Sequence, residues 1–161
     1  MGHLHFAVIL TLVSSLAFCR GGAPERLAML LIVLGVIATA LVTPLHADRF
    51  LRIETALFIV DAAVLALFVA LALVANRFWP LWLSGMQALA VIAHLIAPTS
   101  AQVIAWTYFA IISYWIYPML ALMVTATLRH RLRLRAYGAD PSWSGSLIPS
   151  TDDRVPTLPS G

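Results

Sequence analysis

The sequence predicts an all-helical, polytopic membrane protein, and three observations carry that expectation. The chain of 161 residues is 61% hydrophobic and 11% charged, against roughly half apolar and about a quarter charged in a soluble domain. Its mean hydropathy is +0.93. Its apolar residues gather into long runs separated by short polar breaks, and in hydrocarbon a helix satisfies every backbone amide within its own segment. We expect a bundle of five spans in residues 1–137 and a disordered cytoplasmic tail over residues 138–161.

Leu4 to Cys19 is the first run. It lacks a positively charged start and a small-x-small cleavage motif before Arg20, so it reads as a span and not as a signal peptide. Leu27 to Val42 follows Gly21-Gly22-Ala23-Pro24-Glu25, in which Pro24 suits a first helical position and Glu25 lies near the positive helix terminus. Thr55 to Ala75 is the third; Asp48 can cap its helix, which then begins before the membrane with Arg49 and Arg52 in its first turns. Leu81 to Ala97 is opened by Pro80 and closed by Pro98. Ala101 to Leu128 follows Thr99-Ser100-Ala101-Gln102, which has capping-box spacing, so the fourth and fifth helices form an antiparallel hairpin. Pro118 should kink the fifth helix. The first, second and fourth runs are short, about 24 to 26 Å at 1.5 Å per residue, and span with slight thinning of the bilayer.

With five spans, one side carries Arg20, Arg26, Arg77, Arg129, Arg131, Arg133 and Arg135, and the other Arg49 and Arg52. Arginine near a span end resists translocation, which places the N-terminus outside and the C-terminus in the cytoplasm. Phe78, Trp79 and Trp82 then form an inner aromatic girdle, with Trp106 and Tyr108 toward the outer face. Past the last span, Arg129-His130-Arg131-Leu132-Arg133-Leu134-Arg135 extends the helix to a glycine cap at Gly138. Arg129, Arg131, Arg133 and Arg135 are expected to contact lipid headgroups, at about 1 kcal/mol per charge. No aromatic stacking platform accompanies them, so nucleic acid is not an expected partner. Trp143, Leu147 and Ile148 are the tail residues able to dock on another chain.

The formal net charge of +3 comes wholly from arginine, since the chain contains no lysine. That excludes a Schiff-base pigment, pyridoxal chemistry carried by this chain alone and a P-loop lysine. Cys19 is the one cysteine, which excludes an intrachain disulfide, a CxxC pair and a multi-thiolate zinc site.

Asp61 is the residue that a bilayer tolerates least, because an ionised carboxylate at mid-helix costs on the order of 3 kcal/mol. It must be neutral or paired. By the helical rise it lies about 5 Å above the midplane, and His94, on the returning fourth helix, about 8 Å above it. Ser84, Gln87 and His94 form a polar stripe along one side of that helix. We therefore expect an interior hydrogen-bond cluster of Asp61, Gln87 and His94, with Ser84, Tyr114 and Tyr117 as secondary partners. Ala62, Ala66 and Ala70 repeat every four residues on the third helix and offer a small-residue surface for close approach of the fourth.

The stretch from Arg77-Phe78-Trp79-Pro80-Leu81-Trp82 to His94, with Trp115-Ile116-Tyr117-Pro118 later, resembles small multi-span proteins of alphaproteobacteria. The resemblance covers the second half of the chain; it implies an inner-membrane location and carries no named activity.

No nucleophile constellation or phosphate loop is visible, so the expected function is that of a non-catalytic accessory or structural subunit of a membrane assembly. Its expected partners are membrane lipids, other membrane subunits or a second copy of itself. The alternative is a redox or proton-transfer protein using Asp61 and His94. His3, His5, His46 and His94 would share the outer side with Asp61 and could ligate haem or a metal ion. No two of these histidines share a helix at ligand spacing, and the expectation is that no cofactor is held.

Overall fold

A computed structural model describes residues 2–42, 53–75, 77–96, 114–138, 140, 142 and 143. Among them the chain is all-helical, with five helices and no strand: α1 (Gly2–Arg20), α2 (Ala23–Val42), α3 (Ile53–Val74), α4 (Trp79–Ile96) and α5 (Ile116–Tyr137). Two are long and apolar enough to cross a membrane, Ala23–Val42 and the Thr55–Val74 part of α3, and Leu4–Arg20 is a shorter apolar helix. Asp48, Arg49, Arg52, Pro98, the Thr99–Gln102 capping box, Trp106, Tyr108, Leu147 and Ile148 lie outside the described residues.

The turns follow the local chemistry of the sequence. At Gly21-Gly22 the chain reverses almost without a loop: Gly21 N–H bonds back to Ala17 O at 2.8 Å, and Arg26 N–H opens α2 by bonding Gly22 O at 3.1 Å. Pro24 and Pro80 are the second residues of α2 and α4, where a missing N–H leaves no helical bond unmade. Gly138 ends α5 in the left-handed region, φ 72°, with its N–H on Leu134 O.

The helical run is interrupted near Pro118: Tyr114 is helical, Trp115 keeps an αR conformation in a turn, and α5 resumes at Ile116, two residues before the proline. Without an N–H, Pro118 cannot bond the carbonyl of Tyr114, and the helical ladder restarts here. Residues 101–113 of the expected span lie outside the described residues.

Chain neighbours pack side by side, α3 most extensively on α4 and then on α2, while α5 lies against α1, α2 and α4. The core joins Val13 and Ala17 of α1, Met29 and Ile32 of α2, Phe68 and Leu71 of α3, Leu83 of α4, and Met119 and Met123 of α5. On α3 the buried line is Phe68 and Leu71, continued by Ala75 just past its end, whereas Ala66 and Ala70 are exposed. The expected alanine seam is thus corrected: Ala66 and Ala70 each stand two residues from Phe68, about 200° around the helix at 3.6 residues per turn. Close approach occurs instead at Gly35 of α2, where a Cβ would stand 3.3 Å from Val64 Cγ2.

Candidate functional site

Two clusters of polar side chains tie the helices together, one between α3 and α4 and one at the end of the bundle where the arginines collect. In the first, the Gln87 side-chain amide donates to Asp61 Oδ1 at 2.9 Å and reaches the Asp61 backbone carbonyl at 3.3 Å. His94 Nε2 meets Asp61 Oδ2 at 2.8 Å. Seven residues of helix separate Gln87 from His94, close to two full turns, so both project from one side of α4. Both are buried, while the Asp61 side chain keeps 25% of its surface exposed. Each carboxylate oxygen therefore has its own partner from α4.

The secondary partners fall elsewhere. Ser84 is buried in line with Gln87, but its hydroxyl donates to Pro80 O, one turn back on α4, at 3.0 Å. Tyr114 and Tyr117 stack on each other at 6.2 Å, and Tyr117 meets Phe6 of α1 edge to face at 6.1 Å. α5 contacts α1 more extensively than α4, and Tyr117 faces Phe6 of α1 while Tyr114 is largely exposed. The group that α5 does offer α4 is Trp115, whose indole N–H donates to Met86 O at 2.6 Å.

The second cluster joins four distant parts of the sequence. The Arg77 guanidinium, in the α3–α4 turn, bonds the Asp140 carboxylate and reaches the Asp140 carbonyl at 3.3 Å. His130 Nδ1 of α5 meets the other Asp140 oxygen at 2.7 Å. Arg133 adds a contact of 3.8 Å, and Trp143 pairs through its backbone with Ala75 at the end of α3. The expected free tail from Gly138 is corrected at these residues: Asp140 and Trp143 fold back onto the bundle because Gly138 reverses the chain and Arg77 with His130 receives the carboxylate. Burial works to raise the pKa of Asp140, but hydrogen bonds and charge from Arg77 and His130 outweigh it and hold the group below its ordinary value.

Glu25 completes this end. It is 1% exposed, and neither carboxylate oxygen has a hydrogen-bond partner among the described residues. Arg77 Nε lies 3.9 Å away, too far for a hydrogen bond. Gly22 makes room for the group: a Cβ there would stand 2.9 Å from Glu25 Oε2 and 3.1 Å from His130 Nε2. Glu25, Arg77, Trp79, Arg129, His130 and Arg133 border a recess of about 170 Å³.

Comparison with protein-family models, with curated proteins and with solved structures returns no match. The site is thus read from its geometry alone.

The four arginines expected at lipid headgroups take different places. Arg133 is drawn to Asp140, Arg129 borders the recess, Arg131 is half-buried and Arg135 is exposed near the end of α5. Of the four histidines weighed as ligands, His94 belongs to the Asp61 cluster and His5 lies on α1, while His46 and the side chain of His3 are outside the described residues. No group of three or more His, Cys, Asp or Glu side chains able to hold a metal ion occurs among the described residues.

Sequence reasoning placed Glu25 at a helix terminus, His130 in a basic stretch and Asp140 in a tail, and did not join them. Two signals pointed inward. Met123, Ala126, Thr127 and His130 follow the three- and four-residue spacing of a buried helix face and are all buried, and a double glycine one residue before a Pro-Glu pair marks a close approach.

Proposed function

We propose that the chain is a small multi-pass protein of a bacterial inner membrane, with five spans, its N-terminus outside and its C-terminus in the cytoplasm. In this reading it serves as a non-catalytic accessory or structural subunit of a membrane assembly. The observation that carries it is the Asp61–Gln87–His94 cluster, in which both carboxylate oxygens are bonded by side chains of the neighbouring helix. Such an arrangement holds two helices in register and spends its polar groups on each other. The outer surfaces support the membrane setting: Leu34 and Leu41 of α2 and Ile59, Leu67 and Leu73 of α3 are large apolar side chains left exposed, which lipid or a partner helix accepts and water does not. Contacts among Glu25, Arg77, His130 and Asp140 gather the arginine-bearing turns at one end, in keeping with a single cytoplasmic face.

Extraction in mild detergent followed by mass measurement of the intact particle tests the subunit reading. A complex of defined stoichiometry, with partner chains or further copies, is expected. A monomer that turns over a substrate, with turnover lost in Asp61→Ala, overturns it.

A second reading, proton transfer through Asp61 and His94, is favoured by the partial exposure of the Asp61 side chain, which leaves the pair open on one side. Liposomes carrying wild type or Asp61→Asn separate the readings. Proton flux that disappears in the variant supports transfer, and equal flux leaves the structural role.

A further inference from the structure

We propose that the recess at the arginine end binds the headgroup of a phospholipid whose phosphodiester is followed by a primary ammonium, with Glu25 receiving the ammonium and Trp79, Arg129 and Arg133 the phosphate. The site rests on the membrane reading above and gives its lipid partner a defined chemistry.

The opposed characters of the two sides of the recess point to this ligand. Glu25 is almost wholly buried, and both its oxygens lack a hydrogen-bond partner among the described residues. Arg77, its nearest cation, spends its terminal nitrogens on Asp140. A buried carboxylate without donors is costly, and an ammonium supplies three N–H groups in charge-assisted bonds. Trp79 Nε1 and Arg77 Nε are buried donors that also lack a partner among the described residues. Arg129 and Arg133 stand on the recess with side chains open to the outside. An ion of one sign would satisfy half of this arrangement; a zwitterion satisfies both halves. Glu25 and Asp140 offset two of the three guanidinium charges of Arg77, Arg129 and Arg133, so the recess keeps a cationic excess and the phosphate is not repelled.

Size and surroundings favour a lipid over a soluble metabolite. A volume of about 170 Å³ lies below the roughly 300 Å³ at which pockets for drug-sized molecules begin, and suits a headgroup whose remainder stays outside. Phe78 and Trp82 border the same recess, 70% and 58% exposed and packed edge to face at 6.4 Å. Aromatic rings of this kind lie at the level of lipid headgroups and would flank the glycerol and the first acyl carbons.

Native mass spectrometry of the full chain in detergent tests the site, using equimolar dioleoyl phosphatidylethanolamine, phosphatidylcholine and phosphatidylglycerol. Phosphatidylcholine carries the same phosphate but no N–H donor. One phosphatidylethanolamine should be retained about tenfold more tightly than phosphatidylcholine, the worth of a hydrogen bond to a charged group. Glu25→Gln should bring its retention down to the phosphatidylcholine level and leave phosphatidylcholine unchanged. Equal retention of the two lipids by wild type overturns the proposal, as does tighter binding of phosphatidylglycerol or an unchanged preference in Glu25→Gln. Soluble glycerophosphoethanolamine should compete only weakly; equal potency with the lipid overturns the lipid assignment. Alkaline carbonate extraction tests the membrane reading separately. A chain released to the supernatant removes that reading and this site together, whereas a chain retained in the membrane with no lipid preference removes the site alone.

Discussion

The Asp61–His94 and Asp140–His130 pairs have almost the same geometry, 2.8 Å and 2.7 Å, and opposite surroundings. Asp61 takes its second partner from a neutral amide, Gln87. Asp140 takes its second from the Arg77 guanidinium, with Arg133 nearby. Protein burial runs against naive depth: the Asp140 side chain, just past the end of a helix, is 5% exposed, and that of Asp61, in the middle of one, is 25% exposed. Full charges meet at the arginine-bearing end of the bundle, and a dipolar donor is used where the helix is apolar. An arginine beside Asp61 would itself need a path to water, whereas Gln87 brings no further charge into the apolar region.

Removing Arg77 should have the largest effect. Arg77→Met leaves the buried Asp140 carboxylate with His130 as its one close partner among the described residues and takes the nearest cation from Glu25, and loss of one partner of a buried pair costs about 3–5 kcal/mol. Denaturant unfolding in detergent measures it; a loss below about 1 kcal/mol would place this pair among exposed ones. Acid should have a smaller effect, read at Asp140. Because the Asp140 pKa is lowered on folding, its contribution is complete above the ordinary value of 3.8 and is lost as pH falls below it, through the folded value. The stability difference between wild type and Asp140→Asn should therefore shrink as pH is taken below that value; a difference that grows on acidification would reverse the sign of the shift. Ala66→Leu should do least. Ala66 is exposed, and a surface change of this kind stays within about 0.5 kcal/mol. A large loss would return the alanine stripe to the helix seam.

The Asp61 cluster was legible in the sequence because an apolar helix leaves a mid-helix acid few partners, and because the α3–α4 turn is short enough to put Gln87 and His94 level with it. Ser84 was read correctly as inward-facing and wrongly as a partner, since a serine hydroxyl finds its acceptor one turn back on its own helix. Pro118 signalled a break in the fifth helix, and the helical run is interrupted at Trp115, three residues before it, where the missing N–H leaves a carbonyl without its helical partner. The Glu25–Arg77–His130–Asp140 cluster was missed for a different reason. Its members come from four separate segments, each with a sufficient local explanation as helix terminus, topology signal, basic extension or tail. No periodicity links residues 25, 77, 130 and 140; only the folded chain brings them together.

The retention of a mid-helix acid by donors from the adjoining helix is tested most directly by a double-mutant cycle in which Asp61→Ala and His94→Ala are made singly and together and unfolding is measured for all four proteins. A favourable coupling of about 0.6 to 1.7 kcal/mol is expected, the range of interhelical polar contacts in membranes. Strictly additive losses would mean that Asp61 and His94 do not stabilise each other, and would contradict the pairing of α3 with α4 through this carboxylate.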